Sequence, residues 1–126
     1  MYRIFLVIAL FLSDTLFLSA QISRQSNESE EARGLILRIL PHHADAFLVE
    51  KISPAGNKDV FELESIDNKI ILRGNNNISI AVALNYYLKY YCKTYVSWYA
   101  NDPIELPEKL PVIPEKIRLE ARCKNR

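Results

Sequence analysis

Arg73-Gly74-Asn75-Asn76-Asn77-Ile78-Ser79-Ile80-Ala81-Val82-Ala83-Leu84-Asn85-Tyr86-Tyr87-Leu88-Lys89-Tyr90-Tyr91-Cys92 is the stretch whose periodicity sets the fold. From Ile78 to Cys92 the residues Ile80, Leu84, Tyr87, Leu88 and Tyr91 fall at i, i+4, i+7, i+8 and i+11. That is one apolar stripe, with Asn85 and Lys89 off it, and it predicts a helix packed along the stripe. Gly74 and the three asparagines interrupt the chain just before, and asparagine serves both turns and helix N-caps, so the helix is expected to start there.

Upstream, three short segments rich in β-branched and aromatic residues read as strands: Ala46 to Ile52, Asp59 to Ile66 and Lys69 to Arg73. Pro54-Ala55-Gly56-Asn57 separates the first pair, and Asp67-Asn68 is a two-residue hairpin candidate between the second and third, so the expected arrangement is an antiparallel meander. In the middle strand Phe61 and Leu63 share one face and Glu62 and Glu64 the other, which puts one side on a core and the other in water. Further upstream, Asn27 with Glu30 three residues later resembles a capping box, and Ala32, Leu35, Ile36, Ile39 and Leu40 lie on one helical face. A helix from about Ser29 to Leu40 follows, ended by Pro41.

At the N-terminus, Arg3 precedes the apolar run Ile4 to Leu12, and Ser19 and Ala20 stand before the polar stretch Gln21 to Glu31. Charged, apolar, then small is the order of a secretory signal peptide. The stretch Ile4 to Leu18 is shorter than the roughly 20 apolar residues a spanning helix needs, and it contains Asp14. Residues 1–20 therefore read as a signal peptide and residues 21–28 as a flexible lead, with export expected and no membrane contact beyond the signal segment. Export permits a disulfide between Cys92 and Cys123 without requiring one; two buried thiols serve equally well.

Downstream of the second helix, Thr94 to Tyr99 reads as a further strand from its β-branched and aromatic content. Beyond Ala100 four prolines, at 103, 107, 111 and 114, make an extended connector out of residues 101–126, with Ile117 to Ala121 as one more candidate strand. The expected fold is thus α/β of the α+β type: a small, mostly antiparallel sheet of about four strands packed by two helices, in the order α-β-β-β-α-β, over residues 29–100.

Composition supports a folded chain and narrows its chemistry. The 126 residues are 49% hydrophobic and 25% charged with 3 glycines, which disfavours wholesale disorder. A (β/α)₈ barrel, at roughly 250 residues, does not fit. Sixteen basic against fifteen acidic residues leave +1, so the electrostatic footprint of a nucleic-acid binder is missing. Two distant cysteines and the adjacent His42 and His43 lack metal-ligand spacing, and no metal or cofactor is expected. Glu62 and Glu64 point the same way from one strand, whereas glycosidase carboxyls flank the scissile bond, so they read as a solvated face. Asn27-Glu28-Ser29 and Asn77-Ile78-Ser79 fit the glycosylation sequon, which matters only in a eukaryotic secretory route.

Six of the seven tyrosines lie between Tyr86 and Tyr99, together with Trp98. Tyr87 and Tyr91 belong to the packing stripe. Tyr86, Tyr90, Trp98 and Tyr99 remain as the candidate functional residues, either a docking face for another domain or a platform on which sugar rings stack.

The segment Arg73-Gly74, a turn, Ile78 to Cys92, then Val96-Ser97-Trp98, Leu106-Pro107 and Leu110-Pro111 resembles the N-terminal domain of the α-N-acetylglucosaminidases, glycoside hydrolase family 89. The likeness extends over about Ala32 to Arg126. Asn77 stands where the family often has glycine at the helix entry, and Ala83 where a helix glycine is common; neither breaks the fold. The resemblance implies a small domain packed beside a TIM-like catalytic barrel in the same chain, which removes terminal α-linked N-acetylglucosamine from glycan substrates. It also implies that the catalytic glutamates belong to the barrel, so no catalytic residue is carried onto this sequence. The chain is expected to stop before the barrel begins, as a truncated gene product, a partial gene model or a domain excerpt. Its expected role is a non-catalytic accessory domain; the alternative is an independent glycan-binding module using Tyr86, Tyr90, Trp98 and Tyr99.

Overall fold

The computed structural model describes residues 29–96 and 104–122. The signal-peptide and flexible-lead expectations for residues 1–28 lie outside them. Helix α1 covers residues 29–39 and turns Ala32 and Ile36 inward, with Leu40 just past its end on the same face, each at most 4% exposed, as the helical spacing of those positions predicts. Pro41 follows, and a single 3₁₀ turn at Ala44–Ala46 feeds strand β1, Phe47–Lys51. Strands β2, Lys58–Ile66, and β3, Lys69–Gly74, are joined by Asp67-Asn68 with φ of 48° and 62°. Positive φ at both central residues is what a two-residue hairpin with native twist requires, and Asp and Asn are among the few residues that tolerate it. Helix α2, Asn77–Tyr90, and strand β4, Ile117–Arg122, complete the order α-β-β-β-α-β.

The four-stranded sheet runs β1-β3-β2-β4. β2 is antiparallel to both β3 and β4, so the sheet is mostly antiparallel as expected, but β1 lies parallel to β3 with Phe47 opposite Ile70 and Val49 opposite Leu72. The three upstream strands are therefore not a meander. The reason is visible in β3, where Ile70, Ile71 and Leu72 are consecutive and at most 3% exposed. A strand apolar on both faces belongs inside a sheet, so β3 inserts between the two strands that precede it.

A second correction concerns the last strand. Residues 94–96 carry no strand, and 97–99 lie outside the described residues; the strand that closes the sheet is instead Ile117–Arg122, the further candidate in the proline-rich stretch. After α2 the chain reverses at Lys93, φ 57°, with the Thr94 amide donating to the Leu88 carbonyl at 3.0 Å. That reversal ends the helix with a capped turn rather than launching a strand.

One face of the sheet carries both helices. Phe47, Phe61, Leu63, Ile70 and Leu72 meet Ala32, Ile36 and Leu40 from α1, Ile80, Ala83, Leu84, Tyr87 and Leu88 from α2, and Ile113. Tyr87 is fully buried and donates its hydroxyl to the Pro111 carbonyl at 2.7 Å, while the Ile113 amide donates to Ser65 Oγ at 2.8 Å. These two bonds tether the proline-rich segment across the sheet end and deliver it to β4.

Candidate functional site

The entry to α2 is built by four consecutive residues, from Gly74 at the end of β3 through Asn75 and Asn76 to Asn77, the first residue of the helix. A Cβ on Gly74 would lie 2.8 Å from Ile80 Cγ1 and 2.8 Å from the Ile80 amide nitrogen, so only glycine admits the helix this close to the strand. Asn76 caps the helix by accepting from the Ser79 amide at 2.8 Å and donates to Asp59 at 2.6 Å. Asn75 accepts from the Val60 amide at 3.0 Å and from Ser79 Oγ at 2.8 Å, and it donates to the Lys58 carbonyl at 2.7 Å. Asn77 donates to Glu31 at 2.8 Å, which ties α2 to α1. The three asparagines are thus a joint between helix and sheet. Within the sequon Asn77-Ile78-Ser79 the Ser79 side chain is buried and the Asn77 amide engaged, so the folded domain offers no acceptor there. The second sequon begins outside the described residues.

With its core stripe fixed against the sheet, α2 leaves a second apolar row outside. Ile78, Val82, Tyr86 and Tyr90 follow one another at intervals of four; Ile78, Val82 and Tyr90 are 63%, 46% and 49% exposed and Tyr86 is half-buried. Tyr86 packs on Phe61 with ring centroids 5.6 Å apart and on Tyr90 at 4.4 Å. Phe61 stands opposite Leu119 of β4, itself 41% exposed, so the row continues from the helix toward the sheet edge. Lys89 places its ammonium over the Tyr90 ring, 5.2 Å from the centroid. Of the four aromatic candidates, the structure brings Tyr86 and Tyr90 together; Trp98 and Tyr99 lie outside the described residues. The sequence reading passed over Ile78 and Val82, which the same four-residue spacing would have found. Tyr95, 70% exposed, was also passed over.

The helix-free face of the sheet is a network of charges. Arg73 bonds Glu50 at 2.5 Å and also Glu64; burial opposes its charge, but those hydrogen bonds outweigh it and raise the guanidinium above its usual value. Glu62 receives Lys116 at 2.7 Å and Arg118 at 2.6 Å. The hydrogen bond from Lys116 lowers its carboxyl most, burial works against that, and Arg118 adds to the lowering. Glu62 is only 7% exposed, so the expected solvated carboxylate is corrected: it sits beneath cations that β4 and its approach supply. Both Glu62 and Glu64 are engaged by cations and neither is arranged as an acid or base.

His42 and His43 border an open cleft of about 630 Å³ that Asp45, Asp67 and Glu108 also line. Among the described residues no three His, Cys, Asp or Glu are grouped as a metal would need, and no helix is long and apolar enough to cross a membrane. Cys92 is a half-buried free thiol, held above its ordinary value by burial, with a hydrogen bond to Tyr87 working the other way.

Comparison with known proteins matches residues 30–112 to the family described as the α-N-acetylglucosaminidase (NAGLU) N-terminal domain. No match was found among curated proteins. Among solved structures, a family 89 glycoside hydrolase from Clostridium perfringens in complex with 2-acetamido-1,2-dideoxynojirmycin is 28% identical and superposes with a TM-score of 0.78 over 87% of this chain. A doubly substituted form from the same organism, in complex with its substrate GlcNAc-α-1,4-galactose, is 28% identical with a TM-score of 0.74 over 86% of this chain. The chain spans 13% and 12% of those two structures' chains.

Proposed function

The chain belongs to the α-N-acetylglucosaminidase N-terminal domain family, and from that premise we propose that it is a non-catalytic accessory domain of an exported family 89 glycoside hydrolase. Its role is to support and dock a catalytic barrel through the outer row of α2. The observation that carries this is the row Ile78, Val82, Tyr86 and Tyr90, apolar and largely uncovered on a helix whose core stripe is already satisfied. A helix that has buried one face gains nothing alone from a second apolar face, and aromatics with one polar end are enriched where surfaces meet. A stacking platform for sugars fits less well, because Tyr90 already leans on Tyr86 and carries the Lys89 ammonium over its ring.

The reading predicts no turnover of a chromogenic α-N-acetylglucosaminide by the 126-residue chain and no saturable heat on titration with GlcNAc-α-1,4-galactose. Turnover would refute the accessory role. Saturable heat abolished by Tyr90→Ala would establish the glycan-binding alternative instead.

A further inference from the structure

β4 is fastened to the sheet differently from the other strands. β1, β2 and β3 supply the core with Phe47, Phe61, Leu63, Ile70 and Leu72, all buried, whereas the core contact of β4 is Ile117, which is only partly buried. Leu119, opposite Phe61, is 41% exposed, and Arg118, Glu120 and Ala121 are exposed as well. Little apolar area holds the strand, so its hold is the ladder to β2 together with charges. The chain is pinned just upstream, where Ile113 is buried and its amide donates to Ser65 Oγ at 2.8 Å. Residues 114–122 are therefore all that must move for β4 to leave.

The charges lie on the helix-free face. Among the described residues, the ion pairs there join Glu50, Glu62, Glu64 and Glu120 to Lys58, Arg73, Lys116 and Arg118. Arg73 of β3 stands opposite Glu62 on one side but is taken by Glu50 and Glu64. Arg118 of β4 stands opposite Glu62 on the other side, and it closes on that carboxylate at 2.6 Å while Lys116, just before the strand, does so at 2.7 Å. Glu120 of β4 takes Lys58 of β2 at 2.6 Å and Arg118 at 3.5 Å. Each ion pair that fastens β4 or its approach to β2 thus depends on one of two carboxylates, Glu62 or Glu120.

We propose that β4 is an acid-released latch: when Glu62 and Glu120 take up protons, the strand lifts from β2 while the two helices and the other three strands stay folded. With both carboxyls neutral, Lys116 and Arg118 face Lys58 of β2 with no negative charge between them, and attraction turns into repulsion. In the docked state both carboxyls are held below their ordinary value of 4.5. For Glu62 the Lys116 hydrogen bond does most of this against the opposing effect of burial, and for Glu120 the Lys58 hydrogen bond does. Groups lowered in this way hold the strand fully above the ordinary value, and the hold is lost as pH falls through the lower docked values. Release turns residues 114–122 into a tether of up to about 30 Å between Ile113 and whatever follows in the chain. The latch is a property of this domain and does not depend on what the outer row of α2 meets.

The test is amide hydrogen exchange on the 126-residue chain, read segment by segment against the rates of an unstructured chain, in a series from about pH 7 down to about pH 3. Residues 117–122 are expected to reach the unprotected rate at a pH where residues 69–74 still exchange at least about a hundredfold more slowly than an unstructured chain. Glu62→Gln combined with Glu120→Gln is expected to bring the same split to about pH 7 and to remove its dependence on pH. Loss of protection at both segments in one step overturns the proposal, as does protection of residues 117–122 that persists to about pH 3. So does a double variant whose β4 keeps the parent's pH profile. Should the double variant fail to fold, the series on the parent chain decides by itself.

Discussion

Gly74→Ala is expected to be among the costliest single-methyl additions in the domain. The new Cβ would meet Ile80 Cγ1 and the Ile80 nitrogen at 2.8 Å and Ser79 Cβ at 3.0 Å. The Ile80 side chain is buried and the nitrogen is backbone, so no flexible group can yield; α2 must move off β3. Overpacking of this kind costs roughly 1–3 kcal/mol. Moving the first turn also strains the Asn76 cap on Ser79, worth about 1 kcal/mol. The sum is about 2–4 kcal/mol. Urea unfolding followed by far-ultraviolet circular dichroism would register it as a midpoint lowered by about 1–2 M for a small domain. Gly34→Ala is the internal control, because a Cβ there meets nothing within 4 Å and the residue lies inside α1. It should raise stability by about 0.5–1 kcal/mol through helix propensity. The reasoning fails if Gly74→Ala unfolds at the same urea concentration as the parent, or if the two alanines shift the midpoint in the same direction.

Two other outcomes are expected. Glu62 is held below its ordinary value of 4.5 in the fold, so its pairing with Lys116 and Arg118 stabilises fully above that value and is lost as pH falls through the lower folded one; Glu62→Gln should flatten this part of the acid limb of a urea-midpoint profile, and an unchanged limb contradicts the pairing. Tyr87→Phe removes the hydroxyl that reaches Pro111 and leaves that carbonyl unpaired, lowering stability by about 1–2 kcal/mol in a thermal melt; no change would mean the proline-rich segment is not held there.

The sequence made α2 legible because its signal is local: five stripe residues and a run of asparagines lie within twenty positions. The same is true of α1 and of the Asp67-Asn68 hairpin. Strand order was another matter. Turn residues between β1 and β2 say that the chain bends, not that β3 will fill the gap, and the clue lay in three consecutive apolar residues of β3 that were read only as a strand. Glu62 was misjudged for a related reason. Its cations come from Lys116 and Arg118, more than fifty positions away, and no spacing rule connects them. Tyr86 and Tyr90 lie in contact one helical turn apart, and Ile78 and Val82 extend their row at the same four-residue interval, which aromatic content alone does not signal.

The placement of β4 has a consequence for how the polypeptide comes off the ribosome. Residues 58–66 are complete long before residues 117–122 exist, and at typical elongation speeds the wait is on the order of 3–11 s. During that interval β2 is itself a bare border, with Phe61 and Leu63 lacking their later neighbours, and every nascent copy passes through this sticky stage. Only a chain extended through residue 122 can close that border, because β4 alone supplies the second partner of β2.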